Sequence, residues 1–132
     1  MSFTLRHCMS KNLISVPENM KVEEALMVMK NHHFRHLTVT NEQNQIVGLV
    51  SDRDLFKSLN AEDIEISQIM TKNIRQFDID TDIRKIVKEM LRLKISAFLI
   101  TSKGRGVGIV TSEDLLYLLS QLLASQADQQ LG

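Results

Sequence analysis

The sequence predicts an α+β protein in which one β-α-β-β-α unit occurs twice, the two copies packed as a pseudo-two-fold pair. Two observations lead there. The stretch "GLVSDRDL", Gly48 to Leu55, returns as "GIVTSEDL", Gly108 to Leu115, and "MSKNLISV", Met9 to Val16, returns as "MTKNIRQF", Met70 to Phe77. Within each copy the hydrophobic period also changes in the same order, from extended to helical, to a pair of extended runs, and back to helical. The copies are offset by 61 residues at the methionines and by 60 at the glycines, so one residue is lost in between. The loops "TNEQNQIV" and "TSKGRGV" are where a deletion disturbs least.

A short extended piece, Leu13 to Val16, opens the first copy. Val22, Ala25, Leu26 and Met29 then follow the i, i+3, i+4, i+7 spacing of one helical face, matched in the second copy by Ile83, Ile86, Val87 and Met90. The runs "LTVT" and "IVGLV" around polar "NEQNQ", and "FLIT" and "VGIVT" around "SKGRG", read as hairpins. Ser51 and Thr111 are good N-cap residues with acidic side chains in the following turn, so a helix should start after each. The last of these helices, "SEDLLYLLSQLLASQ", carries leucines at 115, 116, 118, 119, 122 and 123. One core face needs fewer, and either a dimer contact or further burial within the monomer accounts for the surplus. The expected divisions are 1–60 for the first copy with its lead-in, 61–124 for the second, and 125–132 for a polar tail whose last six residues, "ADQQLG", should fray. A unit of about sixty residues buries too little apolar surface to be secure alone, which is why the copies should pack against each other.

Composition narrows the function. The 132 residues hold 16 basic and 16 acidic side chains, so no overall field draws in nucleic acid or an anionic membrane. The single cysteine, Cys8, has no intramolecular partner and fits a reducing compartment, with the cytoplasm as the expected location. The start "MSFTLRHCMSKN" lacks the apolar stretch of a signal peptide, and no apolar run approaches the ~20 residues of a membrane span.

The element order, the "M-[ST]-K-N" lead-in, and the repeated glycine, apolar, Val, [ST], two residues, Asp resemble the cystathionine-β-synthase-type (CBS) domain. Two in tandem resemble a complete CBS pair, or Bateman module, over about residues 5 to 123. The resemblance implies a regulatory, non-catalytic module that needs no cofactor and binds an adenosine-containing ligand in clefts between the repeats. AMP, ADP, ATP, S-adenosylmethionine and cyclic dinucleotides are the candidates. It further implies a homodimer and a separate protein that responds to the ligand. By the same resemblance Arg35 and His36, in "HHFRHL", stand where basic side chains reach phosphates, whereas "LKISAF" in the second copy has no basic residue there. Cations answering the dipole at the end of a helix are the other account of that pair. Leu13, Ile14, Ile74 and Arg75 take the positions that line a base, with core packing as the other account of Leu13 and Ile74. The family often has proline where this chain has Thr38 and Leu99, which changes the wall of each cleft.

The repeated motif also has a chemistry of its own. Ser51 and Asp54, like Thr111 and Asp114, are three residues apart across a strand end and a first helical turn, so their side chains can project together. An ionised carboxylate only accepts hydrogen bonds and can take both hydroxyls of a ribose; the Ser and Thr hydroxyls suit a phosphate or other polar group. Gly48 and Gly108 would leave room for a close backbone approach. The competing account is a plain helix cap, but Glu serves a capping box better than the Asp kept in both copies. His32, His33 and His36 lack the carboxylate or cysteine pattern that would complete a metal site, and no nucleophile, base and acid set surrounds Cys8. An enzyme is thereby disfavoured. A ligand-free dimerising scaffold remains the alternative to a sensor.

Overall fold

The computed structural model describes residues 4–131, with side chains described as far as residue 127. It contains two three-stranded sheets, each with its own helices. The sheets belong to two compact units, and sequence order does not divide them simply. The first unit is Leu13–Ile74; the second joins the segment ending at Asn12 to everything from Arg75 onward. The expected division at 60 and 61 therefore does not coincide with the packed units. The lead-in of each repeat packs with the other repeat's sheet.

In the first unit, β1 (Ser15–Pro17) runs parallel to β2 (His36–Thr40), which pairs antiparallel with β3 (Ile46–Ser51). The parallel pair is joined through a helix, because a tight turn cannot return a chain in the same direction. The second unit repeats this with β4 (Gln76–Asp78), β5 (Ala97–Ser102) and β6 (Arg105–Thr111). The extended piece expected at Leu13 begins instead at Ser15, and its last residue is Pro17, whose missing N–H is harmless on an edge strand. The hairpin loops differ by the expected single residue. Thr40 pairs with Ile46 in the first unit, while the equivalent Thr101 pairs with Gly106 in the second. Lys103 and Gly104, both at positive φ, turn the shorter loop.

The helices number α1 (Leu5–Cys8), α2 (Val22–His32), α3 (Asp52–Lys57), α4 (Ile83–Leu93) and α5 (Ser112–Leu131). Of these, α2 and α3 belong to the first unit and the others to the second. Val22, Ala25 and Met29 of α2 are buried, as are Ile86 and Met90 of α4. Val87, expected on that face, is 37% exposed. Both helices end alike: His33 and Lys94 take the left-handed conformation, and the next residue, Phe34 or Ile95, donates its N–H to the carbonyl of Met29 or Met90. The polar tail does not fray within the described residues; α5 continues to Leu131, and Gly132 lies outside them.

Each unit has its own core. Leu37, Val39, Val50 and Leu55 centre the first; Phe98, Ile100 and Val110 centre the second, with Phe98 tilted on Phe77 at 4.9 Å between ring centroids. The lead-ins complete both. Fully buried Leu5 of α1 and fully buried Ile66, in a 3-10 turn at Ile66–Gln68, sit 61 residues apart in the two repeats. Burying one such side chain contributes about 1.5–3 kcal/mol. After each, a methionine and a hydroxyl residue run along a sheet: Ser10 bridges Ile109 on β6, and Thr71 bridges Leu49 on β3.

Candidate functional site: a hydroxyl and carboxylate box in each unit

The strand-to-helix junctions of the two repeats have nearly the same geometry. Ser51 ends β3 in extended conformation, which turns its N–H toward the first turn of α3. That N–H donates to Asp54 Oδ2 at 2.9 Å, and the Asp54 N–H donates back to Ser51 Oγ at 3.2 Å. In the second unit the Thr111 N–H donates to Asp114 Oδ2 at 2.8 Å and the Asp114 N–H to Thr111 Oγ1 at 3.2 Å. All four residues are half-buried. The expectation that aspartate is a poor capping-box residue is thus corrected: from this extended cap its shorter side chain reaches, and capping is one function of Asp54 and Asp114. Each box occupies one carboxylate oxygen. A carboxylate has a second oxygen, and an ionised one can accept from a ligand hydroxyl.

The two glycines are explained differently from the expectation. A Cβ on Gly108 would lie 2.5 Å from the Ser10 carbonyl oxygen and 3.1 Å from Met9 Cε. On Gly48 it would collide with the Met70 side chain and lie 3.1 Å from the Thr71 carbonyl oxygen. The close approach at these positions is made by the chain's own lead-in.

Arg35 and His36 stand beside the first box. His36 lies opposite Ser51 across the sheet, and the Arg35 carbonyl accepts the Asp52 N–H at 2.9 Å. At the same places in the second unit, Ala97 lies opposite Thr111 and the Ser96 carbonyl accepts from Ser112. Arg35 and Asp52 also line a groove of about 530 Å³ with Leu26, Met29, Phe34 and Phe56; Ser51 and Asp54 are not among its walls. His32 closes α2, His33 turns left-handed and His36 opens β2, so the three histidines share no helical face. Among the described residues no group of three His, Cys, Asp or Glu is placed to hold a metal ion.

The base-lining candidates are dispersed. Leu13 and Ile14 precede β1; Ile14 packs on the first core, and its carbonyl accepts both the N–H and the hydroxyl of Thr38, at 3.0 and 3.2 Å. Ile74 is half-buried at the end of the first unit, while exposed Arg75 opens the second and accepts the Leu99 N–H at 3.1 Å. Thr38 and Leu99 therefore use the very N–H that proline lacks. Sequence reasoning missed Ser15, whose hydroxyl bonds that of Thr38, a fully buried side chain. A threonine inside the apolar run "HLTVT" was the signal available. Cys8 is half-buried; burial, and then the charge of Asp114, push its thiol up from the ordinary value, which leaves little nucleophilic thiolate.

Two sheet-and-helix units, each with the same box where a strand meets a helix, define a tandem α+β repeat module. The chain belongs to the CBS domain family, whose model matches residues 5–61 and again 66–121. Among solved structures it is similar to the CBS domain pair of protein MJ0100 in complex with 5′-methylthioadenosine and S-adenosyl-L-methionine. That match has 28% identity and a TM-score of 0.81, and covers 92% of this chain and 98% of that one. It is similar also to the cytosolic domain of the Mg2+ channel MgtE in complex with ATP, at 25% identity and a TM-score of 0.71, covering 87% and 48% of the two chains. Among curated proteins it is 32% identical over 114 residues to homoserine O-acetyltransferase of Methanohalobium evestigatum, covering 86% of this chain and 23% of that enzyme. The chain spans about a quarter of the length of such curated relatives. No helix among the described residues is long and apolar enough to cross a membrane.

Proposed function

We propose that this chain is a cytoplasmic regulatory module that binds an adenosine-containing ligand at one or both boxes and signals its presence to a partner protein. The observation that carries this is the identical use of Asp54 and Asp114: each caps its helix through Oδ2, which holds a half-buried carboxylate in place to accept the two hydroxyls of a ribose. The relatives bound to 5′-methylthioadenosine, S-adenosyl-L-methionine and ATP support the ligand class. Arg35 and His36 suit the phosphates of a nucleotide at the first box. Ile14 and Leu13 would line the base in the first repeat, and Ile74 and Arg75 in the second. Ligand binding works without catalysis, as a shift between states for which the ligand has unequal affinity. The module acts as a homodimer, in keeping with the exposed Leu116, Leu119 and Leu123 of α5.

Isothermal titration with AMP, ADP, ATP, S-adenosylmethionine, 5′-methylthioadenosine and a cyclic dinucleotide tests this, using wild type and the Asp54→Asn and Asp114→Asn variants. Asparagine keeps a capping oxygen and loses the charge. One ligand should bind wild type and bind one of the variants at least tenfold more weakly, the loss of a charge-assisted hydrogen bond of about 1.5–3 kcal/mol. Binding that neither variant weakens would remove the boxes from the site, and absence of all binding would favour the ligand-free scaffold.

A further inference from the structure

The two boxes share their geometry but not their surroundings. His36 and Ala97 are the cross-strand partners of Ser51 and Thr111, and such partners project from the same face of a sheet with Cβ atoms about 4.5–5.5 Å apart. In the first unit an imidazole therefore stands beside the Ser51 hydroxyl, preceded in the chain by exposed Arg35. In the second a methyl group stands beside Thr111, preceded by exposed Ser96. The first turn of the following helix differs in the same sense. Asp52, Arg53 and Asp54 open α3, whereas Ser112, Glu113 and Asp114 open α5, so exposed Arg53 gives way to exposed Glu113. At the first box Arg35 and Arg53 balance the two aspartates, and His36 adds positive charge when protonated. The five matching positions of the second box hold two carboxylates and no basic residue. Burial first, and then the charge of Asp114, push the Cys8 thiol up, so the negative field of that carboxylate reaches its neighbours. Arg75, the cation at the start of the second unit, stands elsewhere: it precedes β4, on the far side of β5 from β6, and two strand spacings are roughly 10 Å.

We propose that the two boxes select different classes of ligand: the first takes a phosphorylated adenosine compound, the second an adenosine compound without phosphate. This rests on the adenosine reading of the boxes and adds what each one accepts. Ribose hydroxyls carry no charge and suit Asp54 and Asp114 alike, so the distinction falls on what the sugar carries. A phosphate at the first box meets a guanidinium that can hold it through two parallel hydrogen bonds. At the second it meets two carboxylates and a methyl group, and like charges brought together in a half-buried site repel. The second box thus discriminates by exclusion as much as by attraction.

Adenosine and AMP differ only in the phosphate, and the ratio of their affinities in isothermal titration decides the matter. Asp114→Asn leaves the first box intact, and Asp54→Asn leaves the second. The Asp114→Asn protein should bind AMP about tenfold more tightly than adenosine or better, and the Asp54→Asn protein should reverse that order. Exchanging the flanks should exchange the preferences. Ser96→Arg with Ala97→His, added to Asp54→Asn, should move the ratio about tenfold or more toward AMP. Arg35→Ser with His36→Ala, added to Asp114→Asn, should move it as far toward adenosine. The ratio is taken within one protein, so lost stability alone does not imitate the result, and circular dichroism checks that each variant is folded. Equal ratios at the two boxes, or ratios that ignore the exchanges, would overturn the division and leave the adenosine reading standing. A wild type that binds neither compound at about 1 mM would overturn both.

Discussion

Replacing Gly108 by alanine should cost more than the same change at either of two other glycines, and the structure says by how much. The new methyl would lie 2.5 Å from the Ser10 carbonyl oxygen, a backbone atom that cannot swing aside as a side chain can. Ser10 must move, and it holds β6 by two hydrogen bonds, its N–H to the Ile109 carbonyl at 2.8 Å and the Ile109 N–H to its own carbonyl at 3.0 Å. Losing them costs about 1 kcal/mol each, and loosening Leu5 and Met9 from the core adds part of about 1.5–3 kcal/mol per side chain. The sum is about 2–5 kcal/mol, a fall in Tm of roughly 6–20 °C. At Gly48 the severe collision is with the flexible Met70 side chain and the nearest backbone oxygen is 3.1 Å away, so Gly48→Ala should cost about 1–2 kcal/mol. At Gly104 nothing lies within 4 Å, but φ is +77°, and the strain is about 1 kcal/mol. Equilibrium unfolding in guanidinium chloride ranks the three. If Gly108→Ala costs no more than Gly48→Ala, or if its penalty persists in a chain shortened to begin after Ser10, the steric account is wrong.

Three further outcomes follow from single contacts. The Asp82 carboxyl is held down at about 2 by the Arg84 guanidinium and then by the Arg84 N–H, so its contribution to stability is complete above its ordinary value of 3.8 and is lost as pH falls through about 2. Carboxyl-carbon NMR should place its titration there, and Arg84→Ala should raise it. Cys8 should alkylate slowly at neutral pH, and Asp114→Asn, by removing the second of the two influences that raise its pKa, should speed the reaction measured with iodoacetamide. Thr38→Val should cost about 1–2 kcal/mol in thermal unfolding, because it leaves the Ser15 hydroxyl without its partner and gives up a bond to the Ile14 carbonyl.

How much was legible in the sequence depended on whether a feature was periodic or spatial. The repeated unit, both hairpins, the lost loop residue and the helix starts after Ser51 and Thr111 all follow from period and cap chemistry, which are local. The role of the lead-ins was not legible, because it depends on contacts between residues about a hundred positions apart, such as Ser10 with Ile109. The pairing of Leu5 with Ile66 in the repeat was visible in principle, but short apolar residues before a methionine gave no period to follow. At the boxes the spacing of the residues was visible and their geometry was not: whether an aspartate three residues on can close a capping box depends on the extended φ and ψ of Ser51 and Thr111, which no residue type dictates. Gly48 and Gly108 were read as leaving room at the box, whereas the neighbours that crowd them are Met70, Thr71, Met9 and Ser10 of the lead-ins, an identity that lies in tertiary structure. The α5 tail was misjudged because polar residues such as Gln126 and Gln129 suit a helix as well as a frayed end.

The interleaving of lead-ins gives the two units unequal histories. The first is continuous, so every group its core needs has been made once Ile74 leaves the ribosome. The second depends on residues made before the first unit and used after it: Leu5 and Met9 must wait until β6 exists about a hundred residues later before they are covered. During synthesis the first unit should therefore fold early, with an apolar N-terminal arm still exposed, while completing the second closes the longest loop in the chain. That loop adds little equilibrium cost, since closure entropy grows only with the logarithm of length, but long-range contacts form slowly. Chain growth thus sets an order of assembly on two units that look alike.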